Sequence, residues 1–477
     1  CTPSSVEGGM ADGEFYHYVL AQMGASHARQ NQRMNGKAMC EVFGAYGWAE
    51  GTPLMKWLMD FLLVRGVNHF VPHAFDDQFP DSDCPPHFYA NGQNPQFSGF
   101  TQLMHYVNRA AHLISGADME TSGAILYHAE AAWMDADAML MQKPAKVCYD
   151  AHISYDIVPM DYLKSAETRD GKFGRGYRYL IVPACKQLSP CFTEIAARLR
   201  RAGVPIFFIN EAPAGVNACP EELVPLAQIA SRILAQHLAH DYQTSARLLR
   251  IAKFTRDELT VFFLFNESLQ TVQTTLQLPV CGQYIAADFL NEQYVRDEAA
   301  QGEVTVELAA GQSVLLVFGG VSQEEWLAFP AKQDKLHTQI LNLQWDIDLR
   351  ETGREENFRP LRRKSKLFNI TGPEGEREFS GEMHYRTTIN LAKAEQMVLN
   401  IEHVGMTARL FVNGRDLGQR ICAPYCWDIA DAVRNGENEI EVLAANTLVQ
   451  RMQDRLSSYM AIPASGLTGN VTLSVTQ

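Results

Sequence analysis

The first 114 residues alternate between helical and strand patterns, and this alternation constrains the fold more than any other feature of the chain. Apolar residues at helical spacing predict helices over residues 14–24, 52–66 and 99–114. Short apolar runs predict strands over residues 37–42 and 67–72. Strands and helices joined by short connections are typical of parallel α/β architecture. Two strands complete neither a sheet nor a barrel, so the others are missing from this chain or come from another chain.

A second α/β pattern follows in residues 118–245. Strands are predicted over residues 124–127, 153–158, 179–182 and 206–210, and helices over residues 189–202 and 220–237. Pro190 suits the start of the first of these helices, because the first helical turn needs no backbone N–H at that position. This unit is predicted to be complete in itself and flavodoxin-like in length.

The rest of the chain is predicted to be all-β. Residues 246–320 hold runs with strand character, over residues 259–266, 272–278 and 304–318, which predict a small antiparallel β-sandwich. Residues 321–366 are rich in charge and predict a connector with strand elements. Residues 367–477 predict a jelly roll, in which Val412-Asn413-Gly414-Arg415 is a strong hairpin signal. The predicted protein is therefore multidomain, with an α/β part in residues 1–117 and 118–245 followed by all-β units.

Charge and motifs exclude several classes of function. The chain has 41 Lys plus Arg against 55 Asp plus Glu, a formal net charge of −14. Its longest basic cluster is Arg362-Arg363-Lys364, so neither nucleic acid nor a membrane surface is an expected partner. No Walker, GxGxxG, GxSxG or HExxH motif occurs, and the ten cysteines form no CxxC pair. We expect no cofactor and no metal.

Targeting signals are absent from the sequence as it stands. No apolar stretch approaches the roughly 18 to 20 residues that span a bilayer, and the first 30 residues lack the pattern of a signal peptide. Cys40 and Cys185 lie within apolar runs, which favours buried and reduced thiols. We expect a soluble, cytoplasmic protein, although the chain begins at Cys1 and not at Met.

Candidate chemistry is concentrated where the first two predicted strands end. Glu41 lies at the end of the first strand, and Tyr46 and Trp48 follow in a loop with two glycines. Parallel α/β folds place their active sites outside the carboxyl ends of the strands. A carboxylate beside aromatic faces suits a sugar, whose C–H face packs on aromatic rings while its hydroxyls bond to polar groups. The alternative is a structural Glu41 whose charge is simply solvated at the strand end.

Two further candidates follow other strands. His73 and Asp76 come after the second strand, at the same predicted rim as Glu41. Their alternative is a hydrogen-bonded histidine at a strand end beside a solvated turn. His128 follows the first strand of the second α/β unit, in what the pattern favours as an ordinary strand-to-helix loop. If this loop closed over the rim from the side, His128 would also contact the substrate.

These residues resemble a known group of enzymes. Glu41 and the stretch Gly66-Val67-Asn68-His69-Phe70-Val71-Pro72-His73-Ala74-Phe75 resemble the last two barrel strands of clan-A-type glycoside hydrolases, in particular family 42 β-galactosidases and family 106 α-L-rhamnosidases. Residues 118–245 are similar to the amidotransferase-like domain that follows the barrel in family 42, and residues 246–320 fit the same order. Residues 379–388 and 410–418 resemble the sugar-binding, galactose-binding-like jelly roll of family 2 glycosidases.

The resemblance implies a glycosidase acting on a plant- or host-type oligosaccharide or glycoside, with Glu41 as nucleophile or general base. It also implies oligomerisation through the α/β domain. The general acid of those families ends the fourth barrel strand, which this chain lacks. We therefore expect the C-terminal portion of a longer enzyme, whose N-terminal half is a missing segment or another chain. The alternative is a non-catalytic fragment that binds carbohydrate or mediates oligomerisation.

Overall fold

The computed structural model describes residues 12–81, 83–134, 137–239, 244–320, 322, 326 and 337–475. Among them, no helix combines the length and the apolar character needed to cross a membrane. The chain forms four packed units, two of them α/β and two all-β.

Among the described residues, the first unit contains three α-helices and two strands, in the predicted order. They are α1 (Asp12–Gln30), β1 (Met39–Val42), α2 (Thr52–Leu63), β2 (His69–Pro72) and α3 (Phe97–Ile114). Helix α1 continues beyond Gly24, where the sequence predicted its end, because Ala25 and Ala28 on the next turn are fully buried and offset the weak helix propensity of glycine.

Strands β1 and β2 pair in parallel, with Met39 opposite His69 and Val42 opposite Pro72. They form a two-stranded sheet, and no third strand of the described residues joins it. The parallel pairing of two βα units is what the sequence predicted for this segment. Each strand is four residues long and begins two residues later than predicted.

The second unit is built on a five-stranded parallel sheet in the order β10-β9-β8-β4-β5. Its strands are β4 (Gly123–Tyr127), β5 (Tyr155–Pro159), β8 (Leu180–Val182), β9 (Ile206–Ile209) and β10 (Leu223–Val224), with a small hairpin of β6 (Thr168–Arg169) and β7 (Lys172–Phe173). The helices are α4 (Ala129–Trp133), α5 (Gln142–Asp150), α6 (Met160–Ser165), α7 (Cys191–Arg201) and α8 (Ile229–Ala235).

The helix predicted over residues 220–237 is broken, and the prediction was wrong for its first half. Leu223 and Val224 pair with Phe208 and Ile209 as the edge strand β10. Pro225 follows at once and disfavours helical backbone at the residue before it. Only the end of the segment, α8, is an α-helix.

The third unit is an antiparallel β structure. A six-stranded sheet has the order β15-β14-β17-β12-β11-β3, and β13 pairs with β16. The strands are β3 (Asp118–Met119), β11 (Leu249–Arg256), β12 (Leu259–Asn266), β13 (Val272–Gln277), β14 (Gly282–Asp288), β15 (Gln293–Ala299), β16 (Glu303–Leu308) and β17 (Ser313–Phe318). The single run predicted over residues 304–318 is divided into two strands at Gly311, whose φ of 69° favours a turn.

The fourth unit consists of two antiparallel sheets, β18-β27-β22-β25 and β20-β19-β21-β26-β23-β24. Its strands are β18 (His337–Leu341), β19 (Trp345–Glu351), β20 (Arg359–Ser365), β21 (Gly381–Leu391), β22 (Met397–Val404), β23 (Thr407–Val412), β24 (Arg415–Arg420), β25 (Tyr425–Asp428), β26 (Gly436–Ala445) and β27 (Leu467–Val475), with α9 (Val449–Met452) before the last strand. Its core includes the fully buried Trp345 and Trp427.

Two sequence predictions concern this fourth unit, and their outcomes differ. The turn at Asn413 and Gly414 is confirmed, since both residues have positive φ and the turn joins Val412 to Arg415 across a hairpin. The segment predicted as a connector contributes β18, β19 and β20 to the sheets. It differs from a linker because strand pairing incorporates it into the same core.

Buried charged side chains join the first unit to the third. Lys56 of α2 lies 2.6 Å from Asp60 and donates to the carbonyl oxygen of Gly311 at 2.8 Å. Arg65 lies 2.7 Å from the carboxylate of Glu267 in the third unit. These contacts hold the short parallel sheet at a defined position relative to the rest of the chain.

Candidate active site

Glu41 lies at the rim where the two parallel strands end. It is the third residue of β1 and lies opposite Val71 in the register, and its side chain is exposed. The backbone N–H of His73 donates to the carbonyl oxygen of Val42 at 2.8 Å, which continues the pairing into the loops. Glu41, near the end of β1, and His73, directly after β2, therefore lie on the side where parallel α/β folds bind ligands.

The turn after Glu41 has an unusual backbone. Phe43 and Ala45 have φ values of 74° and 65°, a conformation that costs a residue with a side chain of order 1–3 kcal/mol. Phe43 is nonetheless 2% exposed and packs edge-to-face on Phe88, with the ring centroids 5.8 Å apart. Packing thus holds the turn in a disfavoured conformation, and such turns occur often at functional sites.

Beside this turn is a hollow with a volume of about 520 Å³, and Glu41 and Tyr46 are part of its wall. The wall is mostly apolar and includes Leu20, Val42, Phe43, Leu58, Phe61 and Val67. A largely apolar hollow with a few polar groups is the usual form of a binding site.

Tyr46 offers a neutral hydroxyl to this hollow. Burial, together with the nearby Glu50 and Cys40, raises the pKa of Tyr46 to about 12. The phenol therefore stays protonated at neutral pH and can donate a hydrogen bond. The sequence predicted Tyr46 as an aromatic face for a sugar ring, and that contact stays a prediction.

His73 connects the two loops at the rim. Its Nε2 lies 3.2 Å from Oδ2 of Asp83, a carboxylate that can fix the orientation of the ring. A Cβ added to Gly44 would lie 3.4 Å from Cγ of His73, so the loop after β1 passes directly over the imidazole. The structure thus brings His73 to the loop that carries Tyr46.

Trp48 differs from the exposed platform that the sequence predicted. It is 6% exposed and packs with Leu448 and Val449 of the fourth unit. Its ring also lies 5.6 Å from the ring of His87, centroid to centroid. Trp48 lies inside a contact between units and not on an open surface, because the fourth unit covers this part of the loop.

Two polar residues of the fourth unit anchor the same loop. The backbone N–H of Trp48 donates to Oδ2 of Asp454 at 3.0 Å, and that of Ala49 donates to Oγ of Ser457 at 2.8 Å. Ser457 in turn donates to Asp454 at 2.5 Å. The loop that follows Glu41 is therefore positioned by residues about 400 positions later in the chain.

Asp76 is engaged within its own loop. Its Oδ1 accepts the backbone N–H of Gln78 at 2.7 Å, and its Oδ2 lies 3.3 Å from Nδ1 of His87. The side chain is partly exposed, so it can still meet a ligand. The structure places it beyond β2, on the same side of the sheet as His73.

His128 lies apart from these residues. It is 5% exposed and follows β4 in the second unit. Burial lowers the pKa of His128, and the backbone of Leu126 and Met139 offsets this only in part. The ring is therefore neutral at pH 7. Among the described residues no hydrogen bond or ring contact joins it to Glu41 or His73. This placement agrees with an ordinary strand-to-helix loop.

Sequence reasoning missed several residues around the site. Asp83 and His87 lie in the loop after β2, where a run of aspartates beside a histidine was the available signal. Asp454 and Ser457 gave no signal, since nothing local links them to the loop after β1. Glu50 was also missed, and its two carboxylate oxygens are buried without a hydrogen-bond partner among the described residues.

Comparison with known proteins gives a fold relationship. No protein-family model and no curated protein matches the chain. The structure of a rhamnosidase from Novosphingobium sp. PP1Y matches 96% of this chain with a TM-score of 0.71 and 18% identity. This chain spans 49% of that protein, about half its length.

Two galactosidases are also similar over part of the chain. A GH42 β-galactosidase from G. stearothermophilus matches 67% of this chain and 58% of its own, with a TM-score of 0.45 and 9% identity. A β-galactosidase from Bacillus circulans sp. alkalophilus matches 62% of this chain and 58% of its own, with a TM-score of 0.41 and 11% identity. The similarity to the rhamnosidase structure shows that the two chains share a fold.

Proposed function

We propose that this chain is part of a glycoside hydrolase in which Glu41 is the nucleophile or general base. The observation that carries this proposal is the position of Glu41, exposed at the carboxyl end of β1 and in the wall of the apolar hollow. Tyr46 and His73 supply polar contacts around it, and Asp76 lies beyond them. The substrate class is a plant- or host-type oligosaccharide or glycoside.

A second carboxyl group has to act with Glu41. Glycoside hydrolysis uses two, separated by about 5–5.5 Å in retaining enzymes and about 6.5–9.5 Å in inverting ones. We propose that further βα units, from the same polypeptide or another chain, supply the general acid and cover the hollow. In the part of the chain that the structure describes, no further strand pairs with the two-stranded sheet. This supports the proposal, because exposed strand edges are normally paired or covered.

The test is the substitution Glu41→Gln, made in this chain and in any longer polypeptide that contains it. An amide can neither attack the anomeric carbon nor remove a proton from water, so hydrolysis of aryl rhamnosides and galactosides should fall roughly 10³-fold or more. Glu395→Gln, an exposed position of the fourth unit, is the matched control. Turnover close to wild type in Glu41→Gln would contradict the assignment.

The second candidate function is a non-catalytic unit that binds carbohydrate or mediates oligomerisation. The exposed Trp133 at the rim of the second unit, 82% accessible, supports a contact of this unit with a ligand or another copy. Calorimetry with oligosaccharides beside the activity assay separates the two proposals. Binding without hydrolysis in every polypeptide tested would favour this candidate.

We also propose a reducing, cytoplasmic location. The nine cysteines in the described part of the chain are all free thiols. Burial raises the pKa of Cys148 and of Cys185 to about 12, which keeps both in the unreactive thiol form.

A further inference from the structure

Three side chains of the loop after β2 converge on one point. Asp76, Asp81 and His87 each direct one nitrogen or oxygen atom toward the others, and these atoms lie within 4.8 Å of one another. Nδ1 of His87 is 3.3 Å from Oδ2 of Asp76. In the described part of the chain no lysine or arginine forms an ion pair with either aspartate.

His87 is a buried polar side chain directed into this group. The side chain is 2% exposed, and its ring lies against Trp48 with the centroids 5.6 Å apart. Its Nε2 is 3.3 Å from the carbonyl oxygen of Asp83. A carbonyl oxygen only accepts hydrogen bonds, so Nε2 carries the ring proton in the neutral form.

In that neutral form the other ring nitrogen, Nδ1, has a lone pair. Nδ1 of His87 is buried and has no hydrogen-bond partner among the described residues, and it lies toward the carboxylate of Asp76. A lone pair and a carboxylate repel each other, and a buried polar atom without a partner costs about 1–3 kcal/mol. A cation between the two atoms would turn this repulsion into two attractive contacts.

We propose that Asp76, Asp81 and His87 bind a divalent cation of the first transition row, of which Mn²⁺ and Zn²⁺ are the expected members. Imidazole nitrogen is a preferred ligand of these metals, whereas Ca²⁺ and Mg²⁺ prefer oxygen alone. Metal–ligand distances of about 2.0–2.2 Å need only a small closure of the loop. This proposal departs from the sequence prediction of no metal, which stays a prediction until the titration below is made, and it does not depend on the proposed hydrolase function.

The arrangement explains the role of the neighbouring side chains. The carbonyl of Asp83 fixes the tautomer that leaves Nδ1 available, as the outer partners of metal-bound histidines commonly do. The carboxylate of Asp83 lies 3.2 Å from His73. An ion held by this loop would therefore stiffen the segment that orients His73.

The test measures metal binding without any assay of activity. The protein is treated with EDTA, dialysed, and titrated with Mn²⁺, Zn²⁺ and Ca²⁺ by calorimetry, and thermal unfolding is followed with and without each ion. We expect one Mn²⁺ or Zn²⁺ per chain and a rise in the unfolding midpoint. Binding at least tenfold weaker is expected in Asp76→Asn and Asp81→Asn.

The matched control is Asp77→Asn, an exposed neighbour outside the group, which should bind as tightly as wild type. His87→Gln tests the nitrogen ligand, and because His87 is buried, its circular dichroism is compared with wild type before titration. The two aspartate variants decide the outcome if His87→Gln does not fold. Absence of binding to wild type, unchanged binding in both aspartate variants, or binding of Ca²⁺ alone would overturn the proposal.

Discussion

At the scale of single residues, Glu50 is the most unusual titratable group near the site. It is 3% exposed, and burial raises its pKa well above the ordinary value of a glutamate. Burial without a partner disfavours the ionised carboxylate, because desolvation is not compensated by a counter-charge. Glu50 is therefore held as a neutral acid over a pH range in which an exposed glutamate is ionised.

This shift predicts how stability depends on pH. The folded protein binds the Glu50 proton more tightly than the unfolded chain does, and this difference stabilises the folded state. The stabilisation is fully present below the unfolded pKa of about 4.3. It is lost as pH rises through the raised folded pKa, with a limiting slope of about 1.4 kcal/mol per pH unit. Glu50→Gln should remove this loss.

The measurement is urea unfolding of wild type and Glu50→Gln between pH 4 and 8. We expect the wild type to lose stability relative to the variant as pH increases. The exposed Glu395→Gln should follow wild type throughout. Two parallel curves for wild type and Glu50→Gln would show that Glu50 is ionised in the folded protein.

At the scale of elements, the loop after β1 is shaped by the unit that covers it. Gly47 has a φ of 86°, and a Cβ at this position would lie 2.5 Å from Oγ of Ser457. Gly47→Ala should therefore destabilise the protein through both strain and overlap, by about 1–3 kcal/mol for the overlap alone. Gly36→Ala is the matched control, because Gly36 has a φ of 71° and no atom near the added Cβ.

Thermal unfolding of the two variants separates the contributions. Gly36→Ala reports the cost of a left-handed alanine, and Gly47→Ala reports that cost plus the collision with Ser457. Equal unfolding midpoints for the two variants would mean that Ser457 of the fourth unit does not exclude a Cβ at position 47.

The contact between the first three units depends on Glu267. Its carboxylate is buried, lies 2.7 Å from Arg65 and 3.3 Å from Arg250, and accepts a hydrogen bond from the Tyr149 hydroxyl. Glu267→Gln would leave two buried guanidinium groups without the carboxylate that neutralises both. Removing one partner of a buried ion pair destabilises the folded protein by about 3–5 kcal/mol.

Differential scanning calorimetry tests this expectation. The control is Glu292→Gln, which removes an exposed partner of Arg109 and should cost at most about 1 kcal/mol. A loss for Glu267→Gln no larger than that of the control would contradict the importance of this buried charge.

The elements also show where sequence patterns predict structure well. Strand β12 covers the residues predicted for it. Its run of alternating and apolar residues is bounded by turn residues, so the strand can be predicted without information from other parts of the chain. The broken helix around Leu223 shows the opposite case. Its residues suit a helix locally, but pairing with β9 stabilises two of them as a strand.

At the scale of the whole molecule, the order of two α/β units followed by two all-β units could be predicted from the change in periodicity along the chain. The candidate rim could be predicted in part. Glu41 is near the end of one strand of a parallel pair and His73 directly follows the other, and parallel strands necessarily bring their carboxyl ends to one side. Tyr46 belongs with them because it is only five residues from Glu41.

Local patterns in the sequence were therefore enough to predict strands such as β12, the turn at Asn413 and Gly414, and the side of the sheet on which the polar residues gather. The neighbours of those residues became known only from the packing of the four units. It buried Trp48 under the fourth unit, linked the loop after Glu41 to Asp454 and Ser457, and brought Asp76, Asp81 and His87 together. The physical reason is that burial and hydrogen bonding depend on packing between units far apart in the chain, which no local pattern records.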